Sequence, residues 1–235
     1  MLRMMFGEPP RRADGPLAET MREMDRYIEI LQKAIARGED RDRKLRKYEI
    51  WTQGLKRALD ELEQSHYAAC RFGSKVTSEF EDDMSPEEHL DYCRHVYFDK
   101  NGFIRLFSIL DKLGTFLNDC LGLETERLKP HFSYFTVLRR MRQEGLHPKL
   151  LMPLDELKKR YRQPVDRLRE RRNIEIHNMN AELQDDLVHS VRAYGEDVRL
   201  ENIRQHMEDL TEGLTFAIES LRIAFQYVAR SANAE

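Results

Sequence analysis

FIRLFSILDKLGTFL, residues 103–117, contains nine large apolar side chains in fifteen positions. This density exceeds the single apolar stripe of an amphipathic surface helix, so we expect other helices to bury the segment on several sides. Gly114 lowers helix stability within it, which predicts that a neighbouring helix approaches the backbone closely at that position. The stretch therefore predicts a central helix around which a helical core is built.

The central helix is expected to begin before this stretch. Ser85-Pro86-Glu87-Glu88 supplies an N-cap, a first-turn proline and acidic first-turn residues, and Gly122 follows the expected end at Leu121. The sequence Asp-Lys-Asn-Gly at residues 99–102 marks the place where the helix would kink or break.

Apolar residues at helical spacing predict further helices before and after the central one. The final helix has the most regular stripe, and that stripe packs either in a bundle core or across a dimer seam. Residues 181–198 lack such a period and are expected to form a loop, with a short strand or helical turn at 187–191. The expected helices run from Pro16 to Gly38, Asp40 to Gly73, Ser133 to Gln143, Leu154 to Arg162, Pro164 to His177 and Leu200 to Val228.

Composition also favours an all-α fold class, an up-and-down bundle of long antiparallel helices. The 235 residues include only 11 glycines and 8 prolines, and 34% are charged. The length suits one domain, which we expect to follow a flexible N-terminal segment at residues 1–14. The helical domain would then span residues 15–235.

The cysteines and the apolar runs indicate a soluble cytoplasmic protein. Cys70, Cys93 and Cys120 are far apart and odd in number, which argues against a disulfide framework or a zinc knuckle. No apolar run suits a signal peptide or a membrane span. The acidic run at residues 79–83 lacks the spacing of a calcium loop, so we predict neither a metal nor a cofactor.

Arg172, Asn173 and His177 form the candidate catalytic group. An arginine is always charged and forks onto phosphate oxygens, while a histidine exchanges protons near neutral pH. Asn173 and His177 lie four residues apart and share a helix face, whereas Arg172 and His177 differ by about 140°. The long arginine side chain, or a distortion of the helix end, would have to bring the two together.

A basic segment precedes this group. Residues 158–172 contain eight cations and two carboxylates, although the whole chain has a net charge of −3. Nucleic acid would therefore be bound locally rather than by the overall charge. The predicted nucleic-acid-binding residues are Lys158, Lys159, Arg160, Arg162, Arg167, Arg169 and Arg171.

Similar Arg/His spacings occur elsewhere in the chain, so spacing alone does not identify a site. Arg142 and His147 straddle a predicted turn, and Arg199 and His206 belong to the final helix. Only the pair Arg172 and His177 follows a basic segment and has an amide side chain, Asn173, next to the arginine. The alternative is a solvated basic helix with an incidental histidine. His66 is expected to be a satisfied core or boundary histidine rather than a ligand. Asp111 and Lys112 are expected to form an ion pair at the edge of the core, an interpretation favoured over a catalytic role.

The Arg-Asn-x-x-x-His stretch in an all-α chain resembles the signature of the HEPN superfamily, the higher eukaryotes and prokaryotes nucleotide-binding domains. The segment from Phe103 to Gly114 is similar to a bacterial branch of that superfamily. Together, these resemblances cover most of residues 86–230, and residues 15–73 would be an N-terminal elaboration. The sequence has Asn178-Met179 where glycine and an aromatic residue often follow the histidine.

The resemblance implies a homodimer with two Arg/His motifs facing one cleft, and a metal-independent endoribonuclease of the toxin, antiviral or stress-response type. Arg172 would hold the scissile phosphate, His177 would be the acid or base, and Asn173 would orient His177 or the substrate. The RNA 2′-hydroxyl would be the nucleophile.

Other members of the superfamily are not ribonucleases, which leaves two alternatives open. One is a non-catalytic helical scaffold that binds a protein partner, such as an antitoxin. The other is a module that binds a nucleotide in the same cleft without cleaving RNA. Neither alternative requires a membrane.

Overall fold

The computed structural model describes residues 2–12, 14–177, 200 and 202–232, and these ranges contain eight α-helices and no β-strand. The predicted all-α fold class is therefore confirmed. Two short 3-10 helices, Glu81–Asp83 and Thr125–Arg127, lie in the connections. The α-helices are α1 (Leu2–Met5), α2 (Gly15–Ala36), α3 (Lys44–Gly73), α4 (Pro86–Cys120), α5 (Tyr134–Gln143), α6 (Pro148–Arg160), α7 (Arg162–His177) and α8 (Ile203–Ala232).

Helix α4 is the central helix of the bundle. Eight of the nine large apolar side chains between residues 103 and 117 are buried, and Ile104 is the exception. Helices α3, α5, α7 and α8 all contact α4. The predicted burial of this stretch is confirmed, because an apolar surface that extends around the helix is removed from water only when several helices cover it.

The beginning of α4 matches the sequence pattern, and the helix continues through residues 99–102. The Ser85 hydroxyl accepts a hydrogen bond from the Glu88 N–H at 3.2 Å, as an N-cap should. Gly102 fits closely against Leu210 of α8, whose side chain would lie 2.9 Å from a Cβ at that position. Gly102 therefore allows close helix packing without breaking the helix.

Helix α8 packs inside the bundle rather than across a dimer seam. Its residues Leu210, Ala217, Leu221 and Val228 are buried within one chain. Phe225 of α8 stacks on Phe116 of α4 with ring centroids 5.1 Å apart. The regular stripe of the final helix is thus used by the core.

Helix α6 begins earlier than predicted. The sequence pattern predicted a helix from Leu154 to Arg162, but the helix starts at Pro148 and includes Pro153. Pro148 suits the first turn, where its missing N–H is not needed. Burial of Leu150, Leu151, Leu154 and Leu157 outweighs the hydrogen bond lost at Pro153.

The N-terminal segment contacts the bundle through α3. Phe6 packs edge-on against Phe72, with ring centroids 5.4 Å apart, and Arg3 forms an ion pair with Glu63 at 2.5 Å. The sequence, which predicted a flexible segment at residues 1–14, did not predict these contacts. They attach α1 and the following turn to α3.

Two sequence features lie outside the described residues: the predicted loop at 181–198 and the Asn178-Met179 pair. The described helices include none that is both long and apolar enough to cross a membrane.

We predict that Gly114→Ala lowers the free energy of unfolding by about 1–3 kcal/mol, because overpacking is costly in a close-packed interior. A Cβ at position 114 would lie 2.8 Å from the Tyr134 Cα, and a backbone atom cannot move aside easily. Gly54→Ala is the matched control, since its Cβ would meet no atom within 4 Å. That change should stabilise α3 by roughly 0.5–1 kcal/mol. Urea denaturation measures both; equal effects would contradict the close approach.

Candidate functional site

Ion pairs hold α7 against α4 on both sides of Arg172. Arg171 donates to the buried carboxylate of Asp99, and its guanidinium carbon lies 5.0 Å from the centre of the Phe103 ring. One turn further along, Lys100 pairs with Glu175 at 2.9 Å. The two pairs fix the part of α7 that carries the candidate catalytic group.

Arg172 lies over the next turns of α4. Its guanidinium carbon is 5.9 Å from the centre of the Phe107 ring, and its Nη1 donates to Asn173 Oδ1 at 3.1 Å. The structure therefore brings Arg172 and Asn173 together. Their neighbour Asp111 is the acidic residue for which the sequence favoured an ion pair with Lys112 over a catalytic role.

Asp111 provides a half-buried carboxyl group near Arg172. Burial raises the pKa of Asp111, while the N–H of Tyr134 and the guanidinium groups of Arg172 and Arg169 oppose that shift. The Tyr134 N–H donates to Asp111 Oδ1 at 3.4 Å. Sequence analysis expected an ion pair between Asp111 and Lys112; among the described residues, the cations near Asp111 come from α7 instead.

A groove of about 760 Å³ opens beside Arg172. Helix α3 contributes Trp51 and Leu55 to it, α4 contributes Asp111, and α7 contributes Arg172 and Ile176. The groove is large enough for a small ligand or for part of a larger one. The contribution of α3 was not predicted, because Trp51 and Leu55 lie more than 100 residues before Arg172 in the sequence.

His177 and Asn173 are exposed to solvent, whereas Arg172 is half-buried. His177 is the last residue of α7. Its imidazole makes no hydrogen bond to any other side chain in the described ranges. The histidine is thus accessible to a ligand. That His177 and Arg172 act together, on one substrate or across a dimer cleft, stays a prediction.

The basic segment divides among different surroundings. Arg167 forms two hydrogen bonds with the buried carboxylate of Asp209, at 2.5 and 2.8 Å, and Arg171 binds Asp99. These two arginines tie α7 to α8 and α4. Arg160 is exposed. The remaining four cations line a second pocket, which does not include Arg172: Lys158, Lys159, Arg162 and Arg169.

Arg142 and His147, which have the same spacing as Arg172 and His177, both make structural contacts. Arg142 pairs with Asp155, with Nε and Oδ2 3.0 Å apart, and His147 Nδ1 lies 2.8 Å from the Tyr227 hydroxyl oxygen. His66 lies 2.8 Å from the Thr211 hydroxyl, which agrees with a satisfied boundary histidine. Arg199 lies outside the described residues.

One group of side chains has the composition of a metal site. Donor atoms of His95, Asp99 and His206 all lie within 4.8 Å of one another. Burial lowers the pKa of His206 to about 4, so this imidazole is neutral at pH 7. The Arg171 guanidinium already binds Asp99, and its charge would repel a divalent cation. We interpret the group as a polar network that joins α4, α7 and α8.

A helical bundle that carries an Arg-Asn-x-x-x-His motif on α7 agrees with the HEPN-type fold that the sequence resemblance implied. Residues 51–229 match the model of the family described as HEPN_Cthe2314-like HEPN, and the chain belongs to this family. The matched range begins within α3 and therefore includes most of a helix that sequence analysis had placed in an N-terminal elaboration. No curated protein and no solved structure matches the chain.

We predict that Arg171→Gln lowers the free energy of unfolding by about 3 kcal/mol, because the change removes a guanidinium from a buried carboxylate. Arg172→Gln should lower it by less than about 1 kcal/mol, since Arg172 is half-buried at the groove edge. Chemical denaturation compares the two variants. Equal losses would contradict the separation of a structural Arg171 from a functional Arg172.

Proposed function

We propose that this protein binds RNA and cleaves it without a metal ion, at a site formed by Arg172, Asn173 and His177 in a cleft between two copies of the chain. The observation that carries the proposal is the position of Arg172. Its guanidinium contacts Asn173 and borders an open groove, although neighbouring arginines of α7 are held in ion pairs. Membership of a HEPN family supports the same assignment.

Each residue has a distinct part in the proposed reaction. His177 accepts a proton from the RNA 2′-hydroxyl while water protonates the departing 5′-oxygen, or it donates a proton to that oxygen while water accepts the 2′-hydroxyl proton. The 2′-oxygen attacks the phosphorus, the bond to the 5′-oxygen breaks, and a 2′,3′-cyclic phosphate forms. Arg172 stabilises the additional negative charge on the phosphate in the transition state. The hydrogen bond from Arg172 to Asn173 supports the orientation of the guanidinium.

The proposed RNA-binding surface consists of the cations near this site that face solvent. Lys158, Lys159, Arg162 and Arg169 surround one pocket, and Arg160 is exposed nearby. Contacts of lysine and arginine with phosphate supply affinity without selecting a base sequence. Arg167 and Arg171 contribute indirectly in this proposal, by fixing the position of α7.

The proposed dimer face surrounds the groove. Ile50, Ile104, Ile174 and Ile176 are large apolar side chains, each at least 38% exposed. They belong to α3, α4 and α7, and three of them border the groove that includes Arg172. An apolar patch around a functional groove is typical of a protein interface. A second copy on this face would place its own motif near the first.

We predict that the wild-type protein cleaves single-stranded RNA in excess EDTA and leaves a 2′,3′-cyclic phosphate. Arg172→Ala and His177→Ala should each lower the cleavage rate at least about 100-fold, since electrostatic stabilisation of the transition state and general acid–base catalysis each contribute that much. Gel electrophoresis of an end-labelled RNA and of the matching DNA measures both rate and product. The DNA should remain intact because it lacks the 2′-hydroxyl.

Arg139→Ala and His131→Ala are the matched controls for this experiment. Both residues are exposed on or near α5, away from the groove. Full cleavage by the Arg172→Ala and His177→Ala variants would contradict the proposed site. RNA binding without any cleavage by the wild type would instead favour a non-catalytic module.

We predict that Ile176→Asp converts a dimer into a monomer, because a charge would be buried in the proposed apolar interface. Met152→Asp is the control, since Met152 is 64% exposed on α6 and does not border the groove. Analytical ultracentrifugation measures the mass in solution. A dimer that persists with Ile176→Asp, or is lost equally with Met152→Asp, would place the interface elsewhere.

A further inference from the structure

A second pocket, with a volume of about 750 Å³, lies among α5, α6, α7 and α8. We call it the α5–α7 pocket. Its side chains include Phe135 and Arg142 from α5, and Phe216 from α8, in addition to the cations of α6 and α7. In the proposed function, these cations form only a general RNA-binding surface. Their convergence on one cavity indicates a more specific role.

The pocket carries excess positive charge. Five of its lining residues are cations and two are carboxylates. Asp155 accepts from Arg142 at 3.0 Å, and Asp166 pairs with Arg169 at 3.0 Å. Lys158 and Lys159 form no ion pair with any carboxylate in the described ranges. The two ammonium groups are therefore available to an anion, and lysine commonly binds phosphate as a point charge.

The pocket also contains an aromatic surface. The Phe135 ring lies parallel to that of Phe216, with an interplanar angle of 5° and centroids 6.4 Å apart. The Arg169 guanidinium carbon is 4.5 Å, and the Lys158 ammonium nitrogen 5.6 Å, from the centre of the Phe135 ring. Unstacked nucleobases pack on aromatic rings and on guanidinium planes of this kind. Phosphate and base could thus be bound in the same pocket.

A hydrogen bond connects the segment that lines the α5–α7 pocket with the groove beside Arg172. Asp111 lines the groove and accepts from the N–H of Tyr134, which lies between two residues of the pocket, Ser133 and Phe135. Arg169 and Arg172 are three residues apart on α7, a rise of about 4.5 Å along the helix. A strand bound at Arg172 could therefore continue directly into the pocket.

We propose that the α5–α7 pocket binds one nucleotide of the RNA, next to the phosphate held by Arg172. The backbone phosphate of this nucleotide contacts Lys158 and Lys159, and its base packs on the Phe135–Arg169 surface. The inference rests on the proposed function, because it assumes that RNA reaches Arg172. It adds a contact that would determine which nucleotides are accepted beside the cleavage position.

Binding of a short fluorescent RNA with 2′-O-methyl groups tests the inference, because this RNA cannot be cleaved. The Lys158→Gln/Lys159→Gln double variant should reduce the slope of log affinity against log salt concentration by about 0.7, since the two lysines neutralise one phosphate and each neutralised phosphate of a single strand contributes roughly that much. Lys129→Gln, an exposed lysine away from the pocket, should leave the slope unchanged. Fluorescence anisotropy at several salt concentrations measures the slope.

Phe135→Leu provides an independent test of the base contact. It should lower RNA affinity about tenfold without changing the salt slope, because a stacking contact is lost and no phosphate contact is removed. Circular dichroism verifies that the variant is folded. If Phe135→Leu does not fold, the lysine double variant still decides the result.

The outcomes separate this inference from the proposed function. Normal affinity and salt slope in the double variant would overturn the pocket assignment, even if Arg172→Ala abolishes cleavage. If the double variant loses binding to adenosine monophosphate but binds RNA normally, the pocket is a site for free nucleotides, and the assignment to RNA is also overturned. Absence of RNA binding by the wild type would overturn the proposed function together with the pocket.

Discussion

The burial of α4 is the constraint on which the rest of the structure depends. Its apolar residues extend too far around the helix for one neighbour to cover them, so α3, α5, α7 and α8 all pack against it. Gly102 and Gly114 let two of those helices approach closely. The groove beside Arg172 lies where α3, α4 and α7 meet along this central helix.

Two adjacent arginines show how packing positions the candidate chemistry. Successive residues of a helix differ by about 100°, so Arg171 and Arg172 point in different directions. Arg171 reaches the buried Asp99 and holds α7 in place, while Arg172 reaches the edge of the groove and contacts Asn173. A strong structural contact therefore fixes the position of a weakly constrained side chain that is available to a ligand.

Sequence patterns predicted the features that depend on neighbours along the chain. The burial of residues 103–117, the N-cap at Ser85 and the close approach at Gly114 follow from local composition and spacing. The early start of α6 does not follow from local patterns, because proline usually ends a helix. The hydrogen bond lost at Pro153 is offset by the burial of leucine side chains against other helices. Likewise, the partners of Arg167 and Arg171 lie 42 and 72 residues away, so the sequence could not separate structural cations from exposed ones.

The central claim is that two copies of the Arg172, Asn173 and His177 group face one RNA-binding cleft. A crystal structure of the assembled protein with an uncleavable RNA measures this arrangement directly. We predict that the two His177 imidazoles face each other across one solvent-open cleft, with a backbone phosphate bound to Arg172. Copies of His177 that lie far apart, or are buried against apolar side chains, would contradict it.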